Sequence, residues 1–286
     1  MQLEEYKQLS SQRNVLKFII LFFIIIVLFW PIVPTLYYSW VTFNNNSHCI
    51  LVPFISLYLI WKCRHRIGLE EVHPSYVGLG ILVVSLIVYV VGYGGRVEVL
   101  SRLAFVSAVI GIVLYNFGEK IFLRMAFPLL FLYFMIPVPV SIESIVSFRL
   151  QLWVTTVTSA ILGALSITVL QEGNILQFAN CSLEVAEACS GIRSLTAYIM
   201  LGCLFGYMMR GSFIRRSMMV ILAVPLAFFV NILRVLGTGI LASYYGSRVA
   251  QGFLHDFSGI VVFLIGFILF FLISRLIEEK GNLLTQ

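Results

Sequence analysis

The chain is a succession of apolar runs separated by short polar breaks, and the breaks hold most of its charge. A membrane crossing needs about 20 apolar residues. From Phe18 to Trp61 there is no Asp, Glu, Lys or Arg, a run too long for one crossing. Pro31, Pro34 and the polar patch Thr42-Phe43-Asn44-Asn45-Asn46-Ser47-His48 divide it into two, and Lys62-Cys63-Arg64-His65-Arg66 closes it. A third span is expected from Tyr76 to Gly95. After a turn with Arg96, Glu98 and Arg102, a fourth reaches Phe117. Glu119, Lys120 and Arg124 mark the next turn, and a fifth span ends at Met135-Ile136-Pro137-Val138-Pro139. Later apolar runs cover Ile192 to Met209, Met218 to Ser243 and Phe257 to Ile273.

Charge orients these runs, because cytoplasmic ends are enriched in Lys and Arg. Lys7, Arg13 and Lys17 precede the first span, and Lys62 to Arg66 follow the second. Both ends of that hairpin are therefore cytoplasmic and its Asn-rich turn is outside. Arg210, Arg215 and Arg216 place the end of the Ile192 span inside, so the segment before it is outside, like the end of the fifth span. Ser141 to Leu165 lies between two outside points and carries Glu143, Arg149, Gln151 and many Ser and Thr. An odd crossing is forbidden there, which predicts an interfacial or re-entrant helix. Ser166 to Val185 alternates apolar and polar residues around Gly173-Asn174, which predicts short strands or a hairpin at the outer surface. Arg96 and Arg102 then lie outside, against the trend. Arg275 and Lys280 return the C-terminus to the cytoplasm. The expected fold is an all-α polytopic membrane protein of about eight transmembrane helices. An interfacial or re-entrant helix and a short extracytoplasmic β-hairpin-like segment complete it. No repeat or linker breaks the pattern, so residues 1–286 are expected to form a single integral-membrane domain.

Composition agrees: 60% of the 286 residues are hydrophobic, 11% are charged, and the mean hydropathy is +1.00. No soluble domain has this balance. The +6 net charge is thus a topology signal and not nucleic-acid affinity. The five cysteines, at 49, 63, 181, 189 and 203, form no CxxC or Cys/His metal spacing. No disulfide framework, metal site or cofactor is expected. The first apolar run lacks a small-residue cleavage site and reads as an anchor.

The candidate chemistry centres on Val185-Ala186-Glu187-Ala188-Cys189-Ser190-Gly191-Ile192-Arg193-Ser194-Leu195. A cysteine just before a helix start meets partial positive charge, which favours thiolate. Gly191 lets backbone approach closely. Arg193 follows Cys189 by four residues, so a continuous helix would put both on one face. A buried cysteine followed by a snorkelling arginine fits the same residues.

Arg234 is the only charged residue between Arg216 and Arg248. A charge at the centre of a span costs roughly 2.5–3.5 kcal/mol on insertion scales. Sixteen residues from Met218 is about 24 Å at 1.5 Å per residue, near the outer edge of a ~30 Å hydrocarbon core. It is either a fixed cation facing a site there or an arginine snorkelling to headgroups. Asn231 precedes it by three residues and shares its face. His255, with Asp256 beside it and Ser258-Gly259 after, opens the last span on the same side. A lone interfacial histidine is the plainer reading. Yet Cys189 as nucleophile, His255 as general acid and base, and Arg234 over the oxyanion make a complete acyl-transfer set. Arg193, Asn231 and Asp256 are candidates for support.

These residues also carry a resemblance. Glu187-Ala188-Cys189-Ser190-Gly191-Ile192-Arg193-Ser194 resembles the cysteine motif of the exosortase/archaeosortase family. Asn231-Ile232-Leu233-Arg234 is similar to its arginine motif, and His255-Asp256-Phe257-Ser258-Gly259 to its histidine motif. Ser47-His48, Leu51 to Trp61 and Met135 to Pro139 resemble its N-terminal and central signatures, with Cys49 where glycine is expected. The resemblance runs along essentially the whole chain, in order. It implies a multi-pass cysteine protease or transpeptidase of the cytoplasmic (inner) membrane, with its site facing the extracytoplasmic side. Its substrates would be membrane-anchored proteins bearing a C-terminal signal: a Pro-Glu-Pro-like motif, an apolar span and a basic tail. Their sorting would be linked to surface export and exopolysaccharide. An amine or a glycan is the implied acceptor, no cofactor or nucleic acid is implied, and membrane lipids surround the enzyme. Arg193, Arg234 and Arg248 would attract an acidic recognition residue.

A rival reading from another class is a transporter or a lipid- or polysaccharide-handling protein. Arg193 and Arg234 would then bind an anionic group, and Cys189 would be incidental. A scaffold for polysaccharide export is a second rival. Metal and serine intramembrane proteases find no H-E-x-x-H or G-x-S-x-G in the chain.

Overall fold

The structure, a computed structural model, describes residues 16–42, 44–64, 73–185, 191–246 and 253–283, with backbone alone at 44–45, 253–258 and 279–283. It divides into two compact units, Met1–Val138 and Pro139–Gln286.

In the first unit, α1 (Leu16–Leu28) and α2 (Ile32–Thr42) meet at a 68° bend. Pro31 stands at the bend and lacks the N–H that would carry the helical ladder through. The Asn-rich patch forms a 3-10 turn, Asn44–Ile50, and α3 (Leu51–Cys63) follows. The next helices, α4 (Tyr76–Gly94) and α5 (Glu98–Phe131), pack closely because small residues meet backbone: Gly78 lies against Tyr115, Gly111 against Leu82, and Gly92 against Ser101.

Gly118 interrupts α5 with φ 81° and ψ 177°, and the His73 carbonyl fills the place a Cβ would take. The hydroxyls of Ser107 and Tyr133 are 2.7 Å apart across 26 positions of sequence. A straight helix would separate them by about 39 Å. The chain therefore reverses at Gly118. The expected fourth and fifth spans are the two arms of one helical hairpin, and a 3-10 turn at Leu132–Met135 follows the second arm.

Arg102, which ran against the charge trend, is only 5% exposed. Its guanidinium donates to Glu98 Oε2 at 2.6 Å, Ser39 Oγ at 2.8 Å and the Thr35 carbonyl at 3.3 Å. It is an interior residue paired within the unit, not a loop cation.

The second unit opens with α6 (Val140–Ala164), one unbroken helix of 25 residues. Of the polar positions that argued for an interfacial or re-entrant helix, Ser147, Gln151, Thr155 and Thr158 form a buried stripe, whereas Ser144, Arg149 and Thr156 are exposed. Its outward face carries Ile142, Ile145, Phe148 and Trp153. A buried polar stripe with apolar residues opposite suits a helix solvated by lipid, and the exposed Arg149 departs from that pattern. The alternating segment forms a three-stranded antiparallel sheet of β1 (Val169–Glu172), β2 (Ile175–Phe178) and β3 (Ser182–Glu184), in the order β1-β2-β3. Gly173, at φ 63°, makes the first turn, and Glu172 pairs with Ile175. Leu176 and Leu183 pack with Val154 and Leu162 of α6 and with Val235 and Ala242 of the helix α8 (Phe213–Tyr245). Between sheet and α8 runs α7 (Ile192–Met208), and α9 (Phe253–Leu283) ends the unit.

Five helices among the described residues are long and apolar enough to cross a membrane, or six if the bent pair α1–α2 counts as one span. The Glu98–Met135 helix among them is the hairpin that reverses at Gly118. The 17-residue α7 is apolar but shorter. The protein is an all-α polytopic membrane protein with one small sheet.

Candidate active site

The site is built at one end of the α7, α8 and α9 bundle. The first two run antiparallel at close range, since glycines on α7 admit the α8 backbone. A Cβ on Gly206 would fall 2.7 Å from the Arg216 carbonyl oxygen, and one on Gly202 3.0 Å from that of Met219. Where this contact reaches the start of α7, Gly191 is the N-cap residue. Its φ of 82° and ψ of 2° are left-handed, a conformation that glycine adopts freely. A Cβ here would fall 2.7 Å from Asn231 Nδ2 and 2.8 Å from Cγ. The Asn231 side chain, only 2% exposed, therefore lies directly on the turn that follows the cysteine motif.

One turn further along α8 stands Arg234, half-buried, with its carbonyl accepting a bond from Thr238 Oγ1 at 2.9 Å. Eleven residues separate it from Tyr245, about 17 Å along the helix. A Cβ on Gly259 would fall 3.1 Å from Arg234 Nη2 and 3.2 Å from Cζ. The guanidinium thus lies over the glycine of the histidine motif. His255 occupies α9 one turn before Gly259, so the two backbone positions share a helix face. Val230 packs against Gly266 in the same way, so α9 runs antiparallel to α8.

The structure brings together Gly191, Asn231, Arg234 and Gly259, one residue or more from each of the three motifs. Cys189 and Arg248 lie outside the described residues. For His255 and Asp256 the structure gives the helical backbone of α9. Chain connectivity still limits Cys189: its Cα is held within about 7 Å of that of Gly191. On its other side, Val185 is buried in the core formed with the sheet and α8. The condition for Arg193 to share a face with Cys189, a continuous helix through Gly191, is not met. Gly191 is left-handed and α7 begins at Ile192, so helical spacing does not place Arg193 on a face with Cys189. Arg193 is exposed, at the second position of α7.

Sequence reasoning treated Gly191 as a place for close approach but missed that Gly259 is the seat of a guanidinium. It also passed over Tyr198 and Gly266, which join α7 to α9. The signal available was the glycine four residues after His255, on the same helix face.

Cys49 also has a histidine neighbour, with its Sγ 3.8 Å from His48 Nε2. Burial pushes its thiol up to about 12, so it stays protonated and is a poor nucleophile. Cys181 is a free thiol that donates to the Ala242 carbonyl at 3.3 Å. Among the described residues no group of three or more His, Cys, Asp or Glu gathers to hold a metal.

A cation on α8 against the glycine of a histidine motif, with Asn231 one turn earlier against the turn that precedes α7, is an arrangement suited to acyl transfer. Neither a curated protein nor a solved structure matches the chain. A family model described as transmembrane exosortase matches residues 40–272, a stretch that contains all three motifs, and the chain belongs to that family.

Proposed function

We propose that this exosortase is a membrane cysteine peptidase and transpeptidase with Cys189 as nucleophile, His255 as general acid and base, and Arg234 as oxyanion stabiliser. The observation that carries the reading is the double contact of one α8 face, where Asn231 touches Gly191 and Arg234 touches Gly259. The Cys189 thiolate attacks a substrate carbonyl, forming a C–S bond and moving the carbonyl electron pair onto oxygen. Arg234 stabilises that oxyanion. Collapse breaks the C–N bond, and His255 gives its proton to the departing amine, which leaves with the substrate's C-terminal anchor. His255 then takes a proton from water or an amine acceptor as it attacks the thioester, and the thiolate is released.

The substrates of this reading are membrane-anchored proteins with a Pro-Glu-Pro-like motif, an apolar segment and a basic tail. The site faces the extracytoplasmic side of the inner membrane, and both termini are cytoplasmic. Arg193, Asn231 and Asp256 support the three central residues. The test is a processing assay followed by the shift in substrate length, with each variant checked for membrane level. Cys189→Ala is expected to abolish processing. Arg234→Lys keeps the charge but loses the fork, and an oxyanion donor is typically worth about 10²–10³ in rate. Normal processing by a well-expressed Cys189→Ala would end this reading and favour a non-enzymatic protein that binds an anionic group through Arg193 and Arg234.

A further inference from the structure

Helices in lipid have little hydrophobic reason to keep one axial register, since a slide exchanges apolar contacts with tails for apolar contacts with protein. This problem is acute for α9. Ile260, Leu264, Ile268, Leu272 and Leu276 recur at four-residue spacing as one exposed stripe. The opposite face of α9 carries Gly259, Phe263, Gly266 and Phe270, and it must be aligned for Gly259 to meet Arg234.

Tyr198 of α7 makes that alignment specific. It is fully buried, at 0% exposure, with its ring against Phe263 and Phe270 at centroid distances of 5.2 and 6.2 Å. Its hydroxyl donates to the Phe263 carbonyl at 2.9 Å. The same hydroxyl occupies the space a Cβ on Gly266 would take, and that Cβ would also fall 2.6 Å from Val230 Cγ2. A hydrogen bond to backbone and a notch only glycine can form thus converge on one oxygen. Sliding α9 by one residue would bring Ile265 or Phe267 into the notch. A buried hydroxyl that loses its acceptor in an apolar interior is costly, so slipped registers are disfavoured twice. From Phe263, one turn along α9 leads to Gly259 and a second to His255.

We infer that Tyr198 is a positioning residue that fixes the register of α9, and with it the place of His255 relative to Arg234. The catalytic part of this inference rests on the cysteine-enzyme reading; the register part does not. Tyr198→Phe keeps the ring and removes only the hydroxyl. A misplacement of about 1 Å at reacting groups costs on the order of 10²-fold in rate. Tyr198→Phe is therefore expected to lower kcat at least about tenfold with KM within about twofold. Membrane level and alkylation of Cys189, which precedes α7, should stay at the wild-type value. Gly266→Ala, which fills the notch, is expected to act likewise. The two losses should be less than additive, since both disturb one contact.

A second measurement reads register without turnover. In the full-length chain with its native thiols replaced by serine, Phe205→Cys and Phe267→Cys are oxidised and the disulfide is quantified by mass spectrometry; the two rings are 6.0 Å apart. Adding Tyr198→Phe is expected to reduce the yield several-fold. An unchanged disulfide yield would overturn the register claim whatever happens at Cys189. An altered yield with wild-type kcat per enzyme would overturn its catalytic consequence. If Cys189→Ala processes normally while the yield still falls, the cysteine reading fails and the register claim stands.

Discussion

Gly259 lies where the guanidinium of Arg234 leaves little space for a side chain: a Cβ would fall 3.1 Å from Nη2. This contact joins the arginine motif on α8 to the histidine motif on α9. It also shows why a glycine follows His255 by one turn.

Substitution at Gly259 should grade with size. Gly259→Ala requires the guanidinium to yield by a few tenths of an ångström, and a drop in processing of about tenfold is expected. Gly259→Leu displaces it outright and should abolish processing while the protein still reaches the membrane. Wild-type rates for Gly259→Leu, measured as shortened substrate per enzyme, would show that Arg234 has no part in turnover.

Gly191 faces two constraints. A side chain there meets the Asn231 amide at 2.7 Å and must hold a φ of 82°. Left-handed backbone costs a non-glycine residue about 1–2 kcal/mol. Gly191→Ala is therefore expected to lower both thermal stability and processing. Combining it with Asn231→Ser should recover part of the stability, because the clash is relieved and the backbone cost is not. Detergent-solubilised melting temperatures test this, and no recovery in the double variant would remove Asn231 as the obstacle.

Glu98 is expected to matter through its partner. Removing it leaves the Arg102 guanidinium buried with one fewer acceptor, and hydrogen bonds to charged groups are worth about 1.5–3 kcal/mol. Glu98→Ala should therefore lower the melting temperature. In Glu98→Ala/Arg102→Leu the charge is gone as well, and stability should return part of the way. A double variant less stable than Glu98→Ala alone would contradict this account of Arg102.

How far the sequence was legible depends on what kind of group made each contact. Charge-free runs marked the apolar helices, though α3 and α7 are shorter than a span needs, and the hairpin at Gly118 was legible through Glu119, Lys120 and Arg124. The sheet was legible because Ser166 to Val185 alternates around Gly173. Arg102 misled because a sequence shows a cation but not whether it is paired inside. The polar stripe of α6 was ambiguous for a related reason, since Ser147, Gln151 and Thr155 argue against a span only if they face lipid. At the site, Arg234 stood out as a charge in an apolar run. The Tyr198 contact could not, because its acceptor is a backbone carbonyl and its counterpart is the absence of a side chain at Gly266.

Cys181 and Cys189 are eight residues apart, and in the proposed topology both face the oxidising side of the membrane. Cys181 already donates to the Ala242 carbonyl. The active protein is expected to hold both thiols reduced, since a bridge would consume the nucleophile. Cys181→Ala should keep near-normal processing. A 181–189 disulfide in active enzyme, found by mass spectrometry without reduction, would contradict the thiolate mechanism.

The central claim is that the cysteine, arginine and histidine motifs form one site, and proximity tests it most directly. The native Cys189 thiol can be paired with His255→Cys in full-length protein whose other cysteines are replaced by serine, then oxidised in the membrane. The account predicts a disulfide between positions 189 and 255 in high yield. No bond should form when the second cysteine is instead placed at Leu272, on the exposed stripe of α9 and more than four turns away. Absence of the 189–255 disulfide, in protein that retains the Phe205→Cys/Phe267→Cys cross-link between α7 and α9, would contradict it.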